Sequence, residues 1–257
     1  MRNLPTHLFC LVLLTLCTYI HADEPRLVYE AEYSGDYKAF SVNVTKRLYA
    51  LGNDRFLLQN TANNFFGRIN EKETFTWRPS EGIRPLEYRY KQKIFGQKRI
   101  RTIQYDWQKM QALSTHKDKT NTLKLSAGTL GPMTYQLQLQ LDMLNKLETF
   151  HYHFISRGKL KEYHFSPVGT QTLTLDGYFI PNALYIKRQN EGNSRETQVW
   201  LDKDKHYAIA MIKQLKEKKT ENALRLKSDQ YFGDLRDTPF HLMHKKKKPK
   251  LGQNTSS

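Results

Sequence analysis

The sequence predicts a mainly β protein: a large curved antiparallel sheet or open barrel that partly wraps one helix at about residues 132–145. Three observations lead there. From Arg26 to Lys109, and again from Thr149 onward, apolar residues alternate with polar ones over runs of strand length, with Gly or Pro signals between most of them. One interior segment breaks the pattern with a helix-forming composition. Finally, about a dozen strands in one sheet must curl, close or split. Curling around the helix gives the helix a buried face and covers the apolar side of the sheet.

In chain order, KAFSVNVTKRLY alternates Phe40, Val42 and Val44 against polar neighbours. RFLLQNTA, INEKETFTW, LEYRYKQKIF and KRIRTIQYDW follow, and FGQK (Phe95 to Lys98) is a short hairpin connection whose Gly96 can take positive φ. Long sequential strands favour a meander, and so antiparallel pairing. GTLGPMTYQLQLQLDMLNK is ambiguous by spacing. Tyr135, Leu137, Leu139, Leu141 and Met143 alternate as in a strand, while Met133, Leu137, Leu141 and Leu144 fit a helix face. Composition selects a helix from Pro132 to Asn145: Gln, Leu and Met are helix formers, and Pro132 suits a first turn. On that helix Leu137 and Leu141 face the sheet and Gln138 is expected to tolerate a charge, whereas a charge at Leu139 as damaging as at both leucines, with Gln136, Gln138 and Gln140 exposed, would mark a strand. Strands resume with TFHYHFI, LKEYHFSPV, QTLTL, YFIPNALYIKRQ, RETQVWLD, YAIAMIKQLKE and NALRLKSDQY.

The two ends read differently from the body. Residues 1–22 combine Arg2, an apolar run from Leu8 to Ile20 and a cleavage site after Ala22, which predicts a secretory leader and a periplasmic mature chain. A lipoprotein site at Cys17 is disfavoured by the bulky Leu16 before it. Both cysteines, Cys10 and Cys17, lie in that leader, so the mature chain has neither a disulfide nor a thiol nucleophile. With no linker or repeat in the middle, residues 23–240 read as one β-rich domain, and 241–257, with HKKKKPKLGQNTSS, as a disordered basic tail. No segment of the mature chain is a transmembrane span.

The formal net charge is +16. For an exported protein that excess points to anionic lipid, lipopolysaccharide or acidic cell-wall polymers and away from nucleic acid. Lys91, Lys93, Lys98, Arg99 and Arg101 are spaced along strands, a dispersal that reads first as a solvated sheet face.

YEAEYSGDYKAFSVNVTKRL, IRPLEYRYKQKIFGQKRIRTIQYDW, the GTLGPMTYQLQLQL helix, LKEYHF and RETQVWLDKDKHYAIAMIKQ resemble, in that order, the bacterial exported proteins grouped as domain of unknown function 3108. The likeness runs from about Leu27 to Ser228. It implies a Gram-negative envelope protein and transfers no activity and no catalytic residue. Members of that group often carry an aspartate at the start of the helix, where this chain has Gly131-Pro132. The hairpin around Trp200 is also similar to one in periplasmic lipoprotein carriers, open barrels in which a curved sheet wraps a helix over an apolar cavity.

Two constellations are candidates for chemistry. Asp202 and Asp204 lie between two alternating runs, which is turn chemistry. A calcium loop counted from Asp202 would place Tyr207 and Lys213 where a glycine and a glutamate belong. In FHYHFISRGKLKEYHF, a two-residue turn at Arg157-Gly158 pairs Ser156 with Lys159, His153 with Glu162 and His151 with His164. His151, His153, Glu162 and His164 then share one face, and Phe150, Tyr152, Phe154, Tyr163 and Phe165 the other. Imidazoles and a carboxylate so placed are zinc ligands by type. The alternative is the wet reverse of an aromatic core face.

A Gly-x-Ser-x-Gly elbow, a His-Glu-x-x-His helix and a glycine-rich phosphate loop are absent from the sequence. Trp77, Trp107 and Trp200 read as core residues. The expectation is a non-catalytic periplasmic envelope protein without a cofactor, binding an amphipathic or anionic lipid or glycan between helix and sheet. The alternative is a structural or assembly partner of other envelope proteins, using an exposed sheet edge and no small ligand.

Overall fold

The computed structural model describes residues 24–37, 40–65, 67–117, 119–189, 195–233, 235 and 238. Eight strands come first: β1 (Arg26–Tyr37), β2 (Phe40–Gly52), β3 (Arg55–Asn64), β4 (Gly67–Arg78), β5 (Gly82–Ile94), β6 (Gln97–Asp106), β7 (Gln111–His116) and β8 (Lys119–Lys124). Helix α1 (Thr134–Leu144) follows. Six more strands complete the chain: β9 (Phe150–Ser156), β10 (Lys159–Leu175), β11 (Tyr178–Gln189), β12 (Arg195–Asp202), β13 (Ala208–Lys216) and β14 (Lys219–Tyr231). The expected leader and basic tail lie outside the described residues.

All 14 strands belong to one sheet, in the order β8-β7-β6-β5-β4-β3-β2-β1-β14-β13-β12-β11-β10-β9. The expectation of a simple meander is corrected in one respect. There are two meanders, β1–β8 and β9–β14, joined by the helix, and the last strand pairs with the first, Tyr29 opposite Tyr231. The sheet curls without closing into a barrel. Among the described residues its two ends meet where Asn121 on β8 donates to the Gly158 carbonyl at 3.0 Å. The segment before α1 covers the edge of β9 through Leu130, whose amide donates to His153 O at 2.9 Å and whose carbonyl accepts from Ile155 at 3.2 Å.

The alternation read from the sequence builds the concave core, where Leu48, Phe56, Leu58, Phe75, Trp77 and Ile103 are buried. The helix is present, slightly shorter than expected, but its surroundings differ from the expectation. Leu139 is 2% exposed, the same as Leu137, because the curled sheet encloses the helix on most sides instead of covering one face. The helix polar groups are tied in as well. Tyr152 Oη donates to Asp142 at 2.7 Å, Gln138 donates to Asp142 at 2.7 Å, and Gln140 donates to the Tyr207 carbonyl at 3.2 Å. A charge at Leu139 is therefore as costly as one at Leu137.

Two further differences have simple causes. Strands β7 and β8 carry little apolar signal, since the inward positions of β7 are the small Ala112 and Ser114 and β8 is mostly exposed. LKEYHFSPV and QTLTL are one long strand, β10, whose register against β11 shifts between Pro167 and Gly169 and again between Gln171 and Leu173. Among the described residues no helix is long and apolar enough to cross a membrane.

Because every strand is antiparallel to its neighbours, the connections fall on two edges of the sheet. Those at 64–67, 94–97, 156–159 and 216–219 lie on one edge. Those at 52–55, 78–82, 106–111, 175–178 and 202–208 lie on the other.

Candidate functional site

The histidine-bearing hairpin folds in the register that its turn dictates. Arg157 and Gly158 have φ of 54° and 73°, the two positive values of a type I′ turn. His151 therefore opposes His164, and His153 opposes Glu162. Phe150, Tyr152, Phe154 and Phe165 are buried on the reverse face, with Tyr163 packed against them. One metal-ligating atom from each of His151, Glu162 and His164 lies within 4.8 Å of the others. His151 contacts the Glu162 carboxylate directly, and the rings of His151 and His164 meet edge to face with centroids 3.9 Å apart. His153 stands outside this trio, its Nε2 3.7 Å from the second Glu162 oxygen. Two imidazoles and a carboxylate match the donor types of a three-ligand zinc site that keeps one position for water.

The aspartates beside Trp200 form a turn. The Asp204 amide donates to Asp202 Oδ1 at 3.0 Å, so the side chain closes the bend on its own backbone.

A second region was not read from the sequence. On the inward face of β2 the alternation Val42, Val44 continues into Lys46, and on β4 Ile69 continues into Glu71 and Glu73. These are charges at core parity. Lys46 is 6% exposed and donates to Gln136 Oε1 on α1 at 3.2 Å. Burial pulls its ammonium down to about 8, with nearby Glu71 acting the other way. Glu71 accepts from Tyr88 Oη at 2.6 Å and from Asn60 at 3.2 Å.

Glu73, fully buried, caps the helix. Its Oε2 accepts from the amides of Met133 at 2.6 Å and Thr134 at 3.1 Å, and its Oε1 from Thr134 Oγ1 at 3.0 Å. The cap that the helix start lacks locally thus comes from a strand some sixty residues earlier, and it satisfies amides left without partners at a helix N-terminus. A Cβ at Gly131 would lie 1.6 Å from Glu73 Oε1, which explains the glycine. Burial pushes the Glu73 carboxyl up to about 8, against the pull of its donors.

Gln136, held by Lys46, lies at the inner end of a cavity of about 340 Å³. Its walls are apolar, with Val42, Val44, Ala62, Ile69, Ile212 and Leu224 prominent, and its rim carries Asp36, Asn63, Asn64, Gln214 and Asn222. Asn222 Oδ1 is buried without a hydrogen-bond partner. That volume falls in the range of about 300–1,000 Å³ common for small-molecule sites. The cavity opens at the edge of the 64–67, 94–97 and 216–219 connections, since Asn64, Gly67 and Ile94 line it. The signal that would have located it is the pair of inward-facing charged residues, Lys46 and Glu71, interrupting two apolar strand faces.

The basic residues are less dispersed than their spacing implied. Arg68, Lys93 and Lys98 are direct cross-strand neighbours on β4, β5 and β6. With Lys91 and Arg99 they surround a shallow depression of about 450 Å³ that includes Ile100. Arg101 packs over the Tyr90 ring at 4.4 Å.

Comparison with known proteins adds fold and family. A family model described as "Protein of unknown function (DUF3108)" matches residues 57–218. No curated protein matches the chain. Among solved structures, the crystal structure of a beta-barrel-like protein of domain of unknown function DUF1849 from Brucella abortus superposes with a TM-score of 0.52 at 9% identity. That match covers 81% of this chain and 100% of the other, a likeness of fold alone.

Proposed function

The chain belongs to the DUF3108 family, and from that premise we propose that it is an exported, periplasmic, non-catalytic binding protein whose cavity takes the apolar chain of an amphipathic molecule. One observation carries the reading: the cavity walls are apolar, while its inner end is the Gln136 amide held by buried Lys46. An acyl or isoprenoid chain gains from the walls, and the unpaired Asn222 oxygen and the polar rim offer bonds to a headgroup. The buried Glu73 and half-buried Glu71 beneath serve the fold, Glu73 as helix cap and Glu71 as acceptor for Tyr88 and Asn60. The leader-like residues 1–22 support export.

The rival reading, an assembly partner docking through a sheet edge, has less support. The edge of β9 is covered by Leu130, and β8 is flanked by Lys119 and Lys124, charges that blunt edge pairing.

The test is fluorescence titration of the purified protein with 1-N-phenylnaphthylamine, joined to mass spectrometry of its organic extract. Saturable uptake of the dye is expected, and Val44→Trp or Ala62→Trp, which fill the cavity, should weaken it by about tenfold or more. Uptake that does not saturate, or that both variants leave unchanged, overturns the reading.

A further inference from the structure

We propose that the edge of the sheet around the cavity mouth docks on the surface of an anionic phospholipid bilayer. Two hairpin tips project there. Phe65, in the β3–β4 connection, is 97% exposed, and Phe95, in the β5–β6 connection, is 66% exposed. Both tips adjoin residues that line the cavity, Asn64 and Ile94. Ile100, also exposed, lies beside them in the basic depression.

Charge accompanies these apolar tips. Arg68, Lys93 and Lys98 form one row across three strands, flanked by Lys91 and Arg99. Among the described residues none of these five makes an ion pair; Arg68 donates instead to the Asn63 amide oxygen at 2.9 Å. Like charges placed directly opposite on adjacent strands destabilise a sheet. A row of three attracts an anion, and the exposed surface of the two rings gains from an apolar medium. A bilayer with anionic headgroups supplies both at the right relative depth: phosphate at the cations and acyl boundary at the phenylalanines. A soluble polyanion satisfies the cations and leaves the rings in water.

This goes beyond the cavity reading, and the two fail separately. Sedimentation of the full chain with phosphatidylglycerol–phosphatidylcholine vesicles should show binding that disappears with pure phosphatidylcholine and weakens as salt rises. Lys93→Gln with Lys98→Gln should lower vesicle affinity by at least about tenfold, since each cation near an anionic surface contributes roughly fivefold. Phe65→Ser with Phe95→Ser should lower it about as much, while leaving heparin binding and dye uptake unchanged. Val44→Trp should block dye uptake and leave vesicle binding intact. All these positions are exposed except Val44, and an unchanged melting temperature confirms folding. The proposal is overturned if the phenylalanine pair has no effect on vesicles, if heparin is bound in preference to vesicles, or if changing Lys245 through Lys248 to Gln alone abolishes binding.

Discussion

At the edge carrying the 52–55, 78–82 and 106–111 turns, cations meet acids. Arg78 lies 3.2 Å from both Asp54 and Glu81, Arg84 2.9 Å from Glu81, and Lys109 3.5 Å from Asp106. Lys205, on the same edge, reaches the buried Asp229 at 3.0 Å. At the opposite edge Arg68, Lys93 and Lys98 stand side by side next to exposed aromatic tips. The strands are the same strands, continued from one edge to the other, so neither propensity nor sheet geometry requires the asymmetry. The difference teaches that a charge excess summed over a sequence conceals its placement. One edge pairs its cations at its turns, while on the other Arg225 meets Asp36 and Lys187 meets Glu196 but the row on β4, β5 and β6 has no ion pair among the described residues.

The largest expected effect lies at the start of the helix that the sheet encloses. Gly131→Val would drive the Glu73 carboxyl off the helix start, leaving a buried polar group and two amides without partners, at a cost on the order of 3–5 kcal/mol. The expected fall in melting temperature is on the order of 10 °C, and an unchanged value would mean that the helix is not held by Glu73.

The same carboxyl predicts a pH dependence. Its folded-state pKa, about 8, is raised above the ordinary 4.5, so the folded state holds the proton more tightly. Its contribution is complete below pH 4.5 and is lost as pH rises through 8. Melting curves across that window should show a decline that Glu73→Gln flattens. Lys46 is the mirror case: its ammonium is lowered from 10.5 to about 8, so its contribution is present above 10.5 and lost as pH falls through 8. Wild-type protein that gains stability from pH 4.5 to 8, relative to the Gln variant, would show that the three donors outweigh burial.

A smaller effect concerns the hairpin whose tip lies on the edge of the cavity mouth. Zinc at a hundredfold excess over its dissociation constant should stabilise the protein by about 2.7 kcal/mol if His151, Glu162 and His164 bind one ion. Calorimetry should show one-to-one uptake that His151→Ala or His164→Ala removes and His206→Ala leaves unchanged. Heat of binding that ignores both substitutions reduces the trio to the solvated back of an aromatic face.

The subtlest expectation sharpens the contrast directly. Lys93→Glu places an acid between Arg68 and Lys98 and should stabilise the protein by about 0.2–1 kcal/mol for each new pair. Arg78→Ala, on the compensated edge, should lower the melting temperature slightly. Differential scanning calorimetry that finds the same sign for both would erase the distinction between the edges.

Much of this architecture was legible beforehand, for local reasons. Alternation identified most strands because each face of a strand meets one environment. The Arg157-Gly158 turn settled the register of His151 and His164 because a two-residue connection permits no slippage. The helix was legible from composition, although its near-complete enclosure was not, since Leu139 needs partners from distant strands to become core. Strands β7 and β8 escaped because Ala112 and Ser114 fill an inward face without apolar bulk. The cavity escaped for a related reason. Val44, Ile69, Ile212 and Leu224 become neighbours only after the sheet curls, and Lys46 and Glu71 mark its depth only once inward parity is known. The basic row needed cross-strand register over three strands, which spacing along one strand does not contain.

The meeting of β1 and β14 is the most distant strand pairing in the sheet. Tyr29 must find Tyr231, and Glu30 must find Gln230, across nearly the whole described chain. Loop closure of that length is slow, while each flanking hairpin can form locally. Two half-sheets can therefore assemble early, each with an unpaired inner strand awaiting the other. A chain interrupted before Lys219 would keep β1 as an open template for foreign strands, which makes the final segment a checkpoint on completeness, enforced by backbone hydrogen bonds.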